Sequence, residues 1–573
     1  MKDLKSVLKY LLKDKFNLII TILLVVVETA FELIIPFLMK DIINKGVNQQ
    51  DMNQIIISGI GIIICALVSL VTGHLYSIFV GKTISNYTYN LRSDLFNKVQ
   101  EFSFTNLDHF ETTSLITRIM NDSQIMQNTL LGSIRPLARS PILLFMGVIL
   151  CFIMAPSLAW IFIVVIPILI IIMVLIIKYT APRYSLIQKD VDNLNLVVRE
   201  NVTAIRTVKA SVRENYEIEK FDNANEAVAT TTKNTFKIAV LNTPFFQLSM
   251  YAVTTMLLSL GAIQVHNNTL EVGTLSALLS YVLQVLNSIM MISNAFLLMN
   301  RSFASAKRIN EILKEDITMK ETNHLLVNNG DIKFDNVSFK YKEEGEEYVL
   351  SDINLEIKQG SSIGIMGGTG SSKSTLVSLI LRLYDCSKGS VLIDNINVKE
   401  YDLKNLRDSI SIVLQNNVLF SGSVKENLLW GNPNASDQEI SEALRISCSD
   451  EFIDRLPGGL NYDLGQGGVN VSGGQRQRLC IARALLKKPK IIIFDDSTSA
   501  CDMETERKIL KGIRSLEGVT SIIIGQRVNS VKDCDNIIIL DDGKIVASGN
   551  HDTLYDSSSI YKELCDVQLG GKN

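Results

Sequence analysis

Six apolar runs dominate the first half of the chain: roughly Asn17 to Met39, Ile55 to Val80, Pro141 to Ala155, Leu158 to Ile177, Phe245 to Val265 and Leu275 to Met299. A helix needs about 20 residues to cross a hydrocarbon core, so most of these runs can span, and the third must draw residues from ahead of Pro141. The pattern predicts six membrane-crossing helices. Before them, Leu4, Val7, Leu8, Leu11 and Leu12 recur at helical spacing among lysines, and no small-residue cleavage site follows the first run. This start reads as a helix lying on the inner leaflet rather than a signal peptide. Two connections, about 60 and about 65 residues long, exceed any turn and carry helical patterns. They predict helices that run on into the cytoplasm, with docking turns at Asn106 to Thr117 and Ala204 to Ser211. From about Asn328 onward short strands alternate with helical patterns, the mark of an α/β domain.

The 573 residues are too many for one domain. The predicted division is an all-α membrane domain over 1–320, with its interfacial helix and six spans, and an α/β P-loop domain over 321–573. Lysine and arginine crowd the start and the connections after the second, fourth and sixth runs, while "APSL" and "HNNTLEVG" hold none. Basic loops stay inside, so both termini are expected in the cytoplasm and the chain in the cell membrane as a multi-pass protein. The eight cysteines are scattered without a CxxC pair, which fits a reducing compartment. The net charge of −3 selects no partner, and none of nucleic-acid type is expected. Within the first run, Glu28 and Glu32 lie one helical turn apart. Acidic groups in hydrocarbon face water, a cavity or a partner helix, so the pair either recognises a cationic substrate or makes a structural contact. The run "KEEGEE" reads as a solvated loop.

"SSIGIMGGTGSSKSTLVSLILRLYD" sets a Gly-rich turn between a short strand and an apolar helix. Backbone N–H groups of such a turn wrap phosphates, and the helix N-terminus adds partial positive charge. The loop residues Gly367, Gly368, Thr369, Gly370, Ser371, Ser372, Lys373, Ser374 and Thr375 are therefore candidates for binding the phosphates of a nucleotide. Lys373 is placed to reach the β and γ phosphates and Ser374 to ligate Mg²⁺. The G-x-x-x-x-G-K-[ST] pattern departs at Ser372, which puts a Cβ where backbone closes on phosphate.

"VNVSGGQRQRLCIARALLKKPKIIIFDDSTSACD" follows about 100 residues later and resembles the signature motif and Walker B strand of the ATP-binding cassette (ABC) transporters. Ser472, Gly473, Gly474 and Gln475 match the signature core, with Val471 where leucine is common. Asp495 ends the strand as the Walker B aspartate, a metal-site residue, and the stretch to Asp502 resembles the D-loop. Tyr341 resembles the residue that stacks on adenine, and Gln415 the Q-loop glutamine that touches Mg²⁺ and the attacking water. Leu464 to Gly468 occupies the place of the loop that meets the coupling helices. The resemblance covers essentially the whole chain and implies an ABC exporter half-transporter using ATP and Mg²⁺.

The family pattern has glutamate at Asp496 and histidine at Gln526, the two candidate catalytic positions. An acid that activates water must come within about 2.6 to 3.2 Å of it. Aspartate withdraws the carboxylate by roughly 1.5 Å, and misplacement on this scale costs on the order of 100-fold in rate. Glutamine still hydrogen-bonds phosphate but cannot become an imidazolium. Ser372, Asp496 and Gln526 all concern one nucleotide site, whereas the signature, which in this family serves the opposite site of a dimer, is nearly intact. The pattern resembles the slow-site member of a heterodimeric exporter. It implies a partner half-transporter carrying glutamate and histidine, and small amphipathic substrates moved across the lipid bilayer. A homodimeric lipid flippase and an ATP-gated channel or regulatory subunit are the alternative readings.

Overall fold

The computed structural model describes residues 2–317, 319, 325–342 and 347–569. The chain divides into two compact units, Met1–Gln100 with Thr112–Glu315, and Glu101–Glu111 with Asp316–Asn573. Most of the acidic loop expected over 342–347 lies outside the described residues.

The first unit is helical: α1 (Lys2–Leu8) and a 3-10 segment (Lys9–Asp14), then α2 (Lys15–Asp41) and α3 (Met52–Gln100). α4 (Phe104–His109) belongs to the second unit. α5 (Thr112–Thr117), α6 (Ser123–Met154), α7 (Pro156–Thr203), α8 (Ile205–Ala210), α9 (Glu214–Ala239), α10 (Asn242–His266) and α11 (Val272–Lys314) follow. Among the described residues, five helical stretches are long and apolar enough to cross a membrane: Lys2–Val47, Met52–Gln100, Thr112–Met154, Glu214–His266 and Val272–Phe296. The fourth apolar run, expected as a span, falls on α7, where the described apolar stretch is the shorter Pro156–Ile172. α7 itself continues unbroken through Pro167 and Pro182. The third run begins inside α6, so Ser123 to Ser140 supply the length it lacked. At 49 residues, α3 is roughly 74 Å long, more than twice the ~30 Å of hydrocarbon. Short helices stand where docking turns were expected: α4 and α5 over the first, α8 over the second.

Glu28 and Glu32 make structural contacts. Arg135 on α6 donates to Glu28, and Arg139, one turn further, donates to both Glu32 oxygens at 2.6 and 2.5 Å. Arg135 also lies 5.3 Å from the ring centroid of Tyr76. A Cβ on Gly73 would stand 3.5 Å from Glu28, so α3 packs against the same pair. An isolated carboxylate here would be costly, and the facing arginines offset that cost.

The second unit carries two sheets. One is antiparallel, in the order β2 (Leu350–Ile357), β1 (Ile332–Phe339), β4 (Lys388–Ile393), β5 (Ile396–Asn397). The other runs β10 (Lys544–Gly549), β9 (Asn536–Asp541), β3 (Ser362–Gly367), β8 (Thr520–Ile524), β7 (Ile491–Asp495), β6 (Ile410–Val413), parallel except for β10. Every residue of β7 is buried, because both faces of this sheet are covered. Ile491 and Ile493 face a core shared with helix α12 (Lys373–Ile380) and the antiparallel sheet. Ile492 and Phe494 face a second core with the helices Gly473–Leu486 and Met503–Arg514. The carboxyl ends of β3, β8 and β7 thus lie side by side, the usual ligand position of a parallel α/β sheet.

Candidate nucleotide site

At those strand ends lies a cavity of about 350 Å³, within the ~300–1,000 Å³ common for small-molecule sites. It gathers Thr369, Gly370, Ser372, Lys373, Ser374, Thr375, Gln415, Asp495, Asp496 and Gln526, with Val349 and Ile524 as apolar walls. Gly367 is sterically required, since a Cβ there would stand 2.1 Å from the Leu540 carbonyl. Gly368 and Gly370 face open space. Lys373 Nζ donates to the carbonyls of Gly367 and Gly368 at 3.0 and 2.7 Å and to Ser371 Oγ at 3.1 Å. Ser372 takes the left-handed conformation, φ 70°, and its side chain makes no cap to α12. A residue with a Cβ pays about 1–2 kcal/mol for that geometry, which glycine avoids.

Ser374 Oγ donates to Asp495 Oδ1 at 2.9 Å. This hydroxyl and carboxylate form a hard-oxygen pair of the kind Mg²⁺ prefers, beside a lysine-bearing loop with room for phosphate. The residues fit a Mg²⁺-bound nucleoside triphosphate. Burial raises the Asp495 pKa, opposed by the Ser374 hydrogen bond and by Lys373. Burial also raises that of Asp496, and the neighbouring Asp495 charge adds to it. Lys373 is shifted down by burial, against the pull of both aspartates.

The two candidate catalytic residues touch each other: Gln526 Nε2 donates to Asp496 Oδ2 at 3.2 Å. Asp496 is itself left-handed, φ 47°, and its N–H donates to Ile524 O at 3.0 Å. Tyr341 does not line the cavity; it is 45% exposed, with the rings of Phe339 and Tyr384 packed against its own. Its hydroxyl is fixed to Thr375 Oγ1 at 2.8 Å.

Ser472, Gly473, Gly474, Gln475 and Asp502 do not line this cavity. Ser472 caps the helix Gly473–Leu486: its Oγ accepts from Gln475 N–H at 3.3 Å, and Gln475 Oε1 accepts from Ser472 N–H at 2.9 Å. A Cβ on Gly474 would stand 2.9 Å from Ala500 O, and Gln477 Oε1 accepts from Ala500 N–H at 3.0 Å. Asp502 caps the helix Met503–Arg514 by accepting from Thr505 N–H at 2.9 Å.

Two positioning residues escaped sequence reasoning. Glu506, buried at 4% exposure, accepts from Thr498 at 2.7 Å and Ser530 at 2.6 Å and pairs with Arg527 at 3.5 Å. It ties the loop after β7 to the segment after Gln526. Its sequence signal was an acid on the apolar stripe of Ile509, Leu510 and Ile513. Tyr384 donates to Asp108 on α4 at 2.8 Å and packs its ring 5.2 Å from that of Tyr341 and 6.0 Å from that of Phe104. Burial, then the Asp108 carboxylate, raise the pKa of its phenol. No local pattern marks this residue.

The family described as ABC transporter transmembrane region matches residues 18–289, and the family described as ABC transporter matches 350–499. The Bacillus subtilis ABC transporter ATP-binding protein YfiB is 34% identical over 552 residues, spanning 96% of each chain. An ABC transporter ATP-binding protein of Mycobacterium tuberculosis is 33% identical over 561 residues, spanning 95% of each. A Rickettsia typhi protein named as an export ATP-binding/permease protein is 29% identical, spanning 99% of each. The solved structure of a bacterial Atm1-family ABC exporter with ATP bound has the same fold, with a TM-score of 0.83 at 23% identity over 98% of this chain and 99% of that one. A helical membrane domain followed by a P-loop domain of this geometry, and relatives matched end to end, place the chain in the ABC transporter family, as a half-transporter with the exporter fold.

Proposed function

We propose that the chain is the slow-site subunit of a heterodimeric ABC exporter that moves amphipathic compounds out of the cell. The hydrogen bond between Gln526 and Asp496 carries this reading: the shortened acid is held by an amide where the family pattern has a water-activating glutamate and a histidine. Mg²⁺ bound with ATP supplies charge neutralisation at the phosphates. Lys373 and the loop N–H groups hold the anion, Tyr341 offers its ring to adenine, and Ser374, Gln415 and Asp495 present oxygens. Asp502 and the signature residues Ser472 to Gln475 serve the partner's nucleotide in this reading, and the partner supplies glutamate and histidine there. The arrangement of lysines and arginines supports cytoplasmic termini in the cell membrane. Spans rich in Ile, Leu, Val and Met support an adaptable apolar path for cargo.

The test is ATP turnover by the complex purified with its companion. Asp496→Asn is expected to leave most of the turnover, and glutamine in place of the companion's glutamate to abolish it. Abolition by Asp496→Asn, or a homodimer of this chain as fast as the mixed complex, overturns the assignment and favours a homodimeric exporter.

A further inference from the structure

A second cavity, of about 350 Å³, lies within the membrane unit between α1, α2, α6 and α11, away from any nucleotide chemistry. Its walls are almost wholly apolar, with Leu4, Leu8 and Leu11 on one side and Leu18, Ile22 and Leu130 among those opposite. The α1 wall is fastened in place. Asn310 donates to the Asp3 carbonyl at 2.7 Å, and Lys314 pairs with the Asp3 carboxylate at 2.8 Å.

The charges around this slot are unbalanced. Lys13 is neutralised by Asp94 at 2.8 Å, but Lys5, Lys9 and Lys15 are exposed and make no ion pair among the described residues. Lys5 follows the slot-lining Leu4 by one residue, about 100° around the helix, which puts it on the shoulder of the apolar face, and Lys9 follows Leu8 as the first residue of the 3-10 segment. Lys15 precedes Leu18 by three and shares its face. An apolar slot with surplus cations on the segments that line it, at the start of a membrane span, matches an amphiphile with an anionic head and a hydrocarbon tail. We infer that this slot holds one anionic phospholipid, its acyl chain between α1 and α6 and its phosphate among Lys5, Lys9 and Lys15.

This inference goes beyond the export reading and is tested without nucleotide, so the two can fail separately. The full chain, with any companion it co-purifies with, is equilibrated in mixed micelles of phosphatidylglycerol and phosphatidylcholine of identical chains, and retained lipid is counted by native mass spectrometry. The expected result is one phosphatidylglycerol held in preference to phosphatidylcholine. Substituting Lys5, Lys9 and Lys15 together by glutamine lowers that retention at least tenfold, since each lysine near anionic lipid is worth roughly fivefold. The corresponding arginine variant retains it, and Leu8→Trp, which fills the slot, expels the lipid. Equal retention of both lipids by the unaltered chain, or retention unaffected by the glutamine or tryptophan changes, overturns the assignment. So does high-yield cross-linking of a Leu8→Cys variant to a neighbouring chain, which would make protein the occupant.

Discussion

Ser372 and Ser472 each stand one residue ahead of a helix that the family devotes to nucleotide, yet the two helix starts are built differently. Ser472 has extended backbone, φ −67° and ψ 164°, and exchanges reciprocal hydrogen bonds with Gln475. Ser372 sits at φ 70° and ψ 24° without a side-chain cap. The signature start is a relaxed serine cap, whereas the phosphate loop forces a serine into a conformation suited to glycine. Asp496 and Gln526, across the cavity from Ser372, carry the other two departures from the family pattern. Three departures therefore line one cavity, whereas the signature, which differs from the family pattern at Val471, keeps a regular helix cap.

The strongest way to break this contrast is to restore the cradle. Asp496→Glu with Gln526→His should raise ATP turnover at this site on the order of 100-fold, measured in a complex whose companion lacks its own base; unchanged turnover would sink it. On the signature side, Gly474→Ala forces a Cβ against the Ala500 carbonyl and should lower turnover of the unaltered complex about tenfold. Acidification separates the two surfaces next. The raised Asp495 pKa keeps that carboxyl protonated to a higher pH than an ordinary aspartate, and Mg²⁺ must compete with the proton. Mg²⁺-dependent nucleotide binding should therefore weaken on acidification before an ordinary aspartate would titrate, while binding without Mg²⁺ shows no such step. Ser472 to Gln475 contain no titrating group and cannot produce it. Ser472→Ala should cost about 1 kcal/mol in a denaturation series. Ser372→Gly should give the smallest effect, a gain below about 1 kcal/mol, because relief of backbone strain is partly offset by a more flexible unfolded chain. A loss of stability on that change would show that the loop does not strain the serine.

Features carried by contiguous residues were legible in the sequence. The phosphate loop between its strand and helix, and the buried strand ending in Asp495, each depend on neighbours within a few positions, and the structure has the expected local element at each. At 372 the sequence marked only a Cβ close to phosphate, and the left-handed backbone of Ser372 is a finding of the structure. Contacts between distant positions were not legible. Arg135 and Arg139 stand 107 residues from their glutamates, so the sequence left Glu28 and Glu32 open between substrate recognition and packing. Tyr384 meets Asp108 across 276 residues, and nothing in "LRLYD" announces it. The grouping of Glu101–Glu111 with the P-loop domain likewise depends on pairings such as Asn106 with Asp316 that no periodicity encodes.

The paired acids and arginines of α2 and α6 also set a rule for how those helices travel. Both pairs share one offset along the chain, so the helices run in the same direction with two matched rungs. Displacing one along the other by a fraction of a turn separates both rungs at once and strands charges in hydrocarbon. Only a jump of four residues, about 6 Å, would let Glu32 meet Arg135 or Glu28 meet Arg139, and it would leave the other two unmatched. α2 and α6 are thereby geared together, and any sliding of one along its axis must carry the other with it.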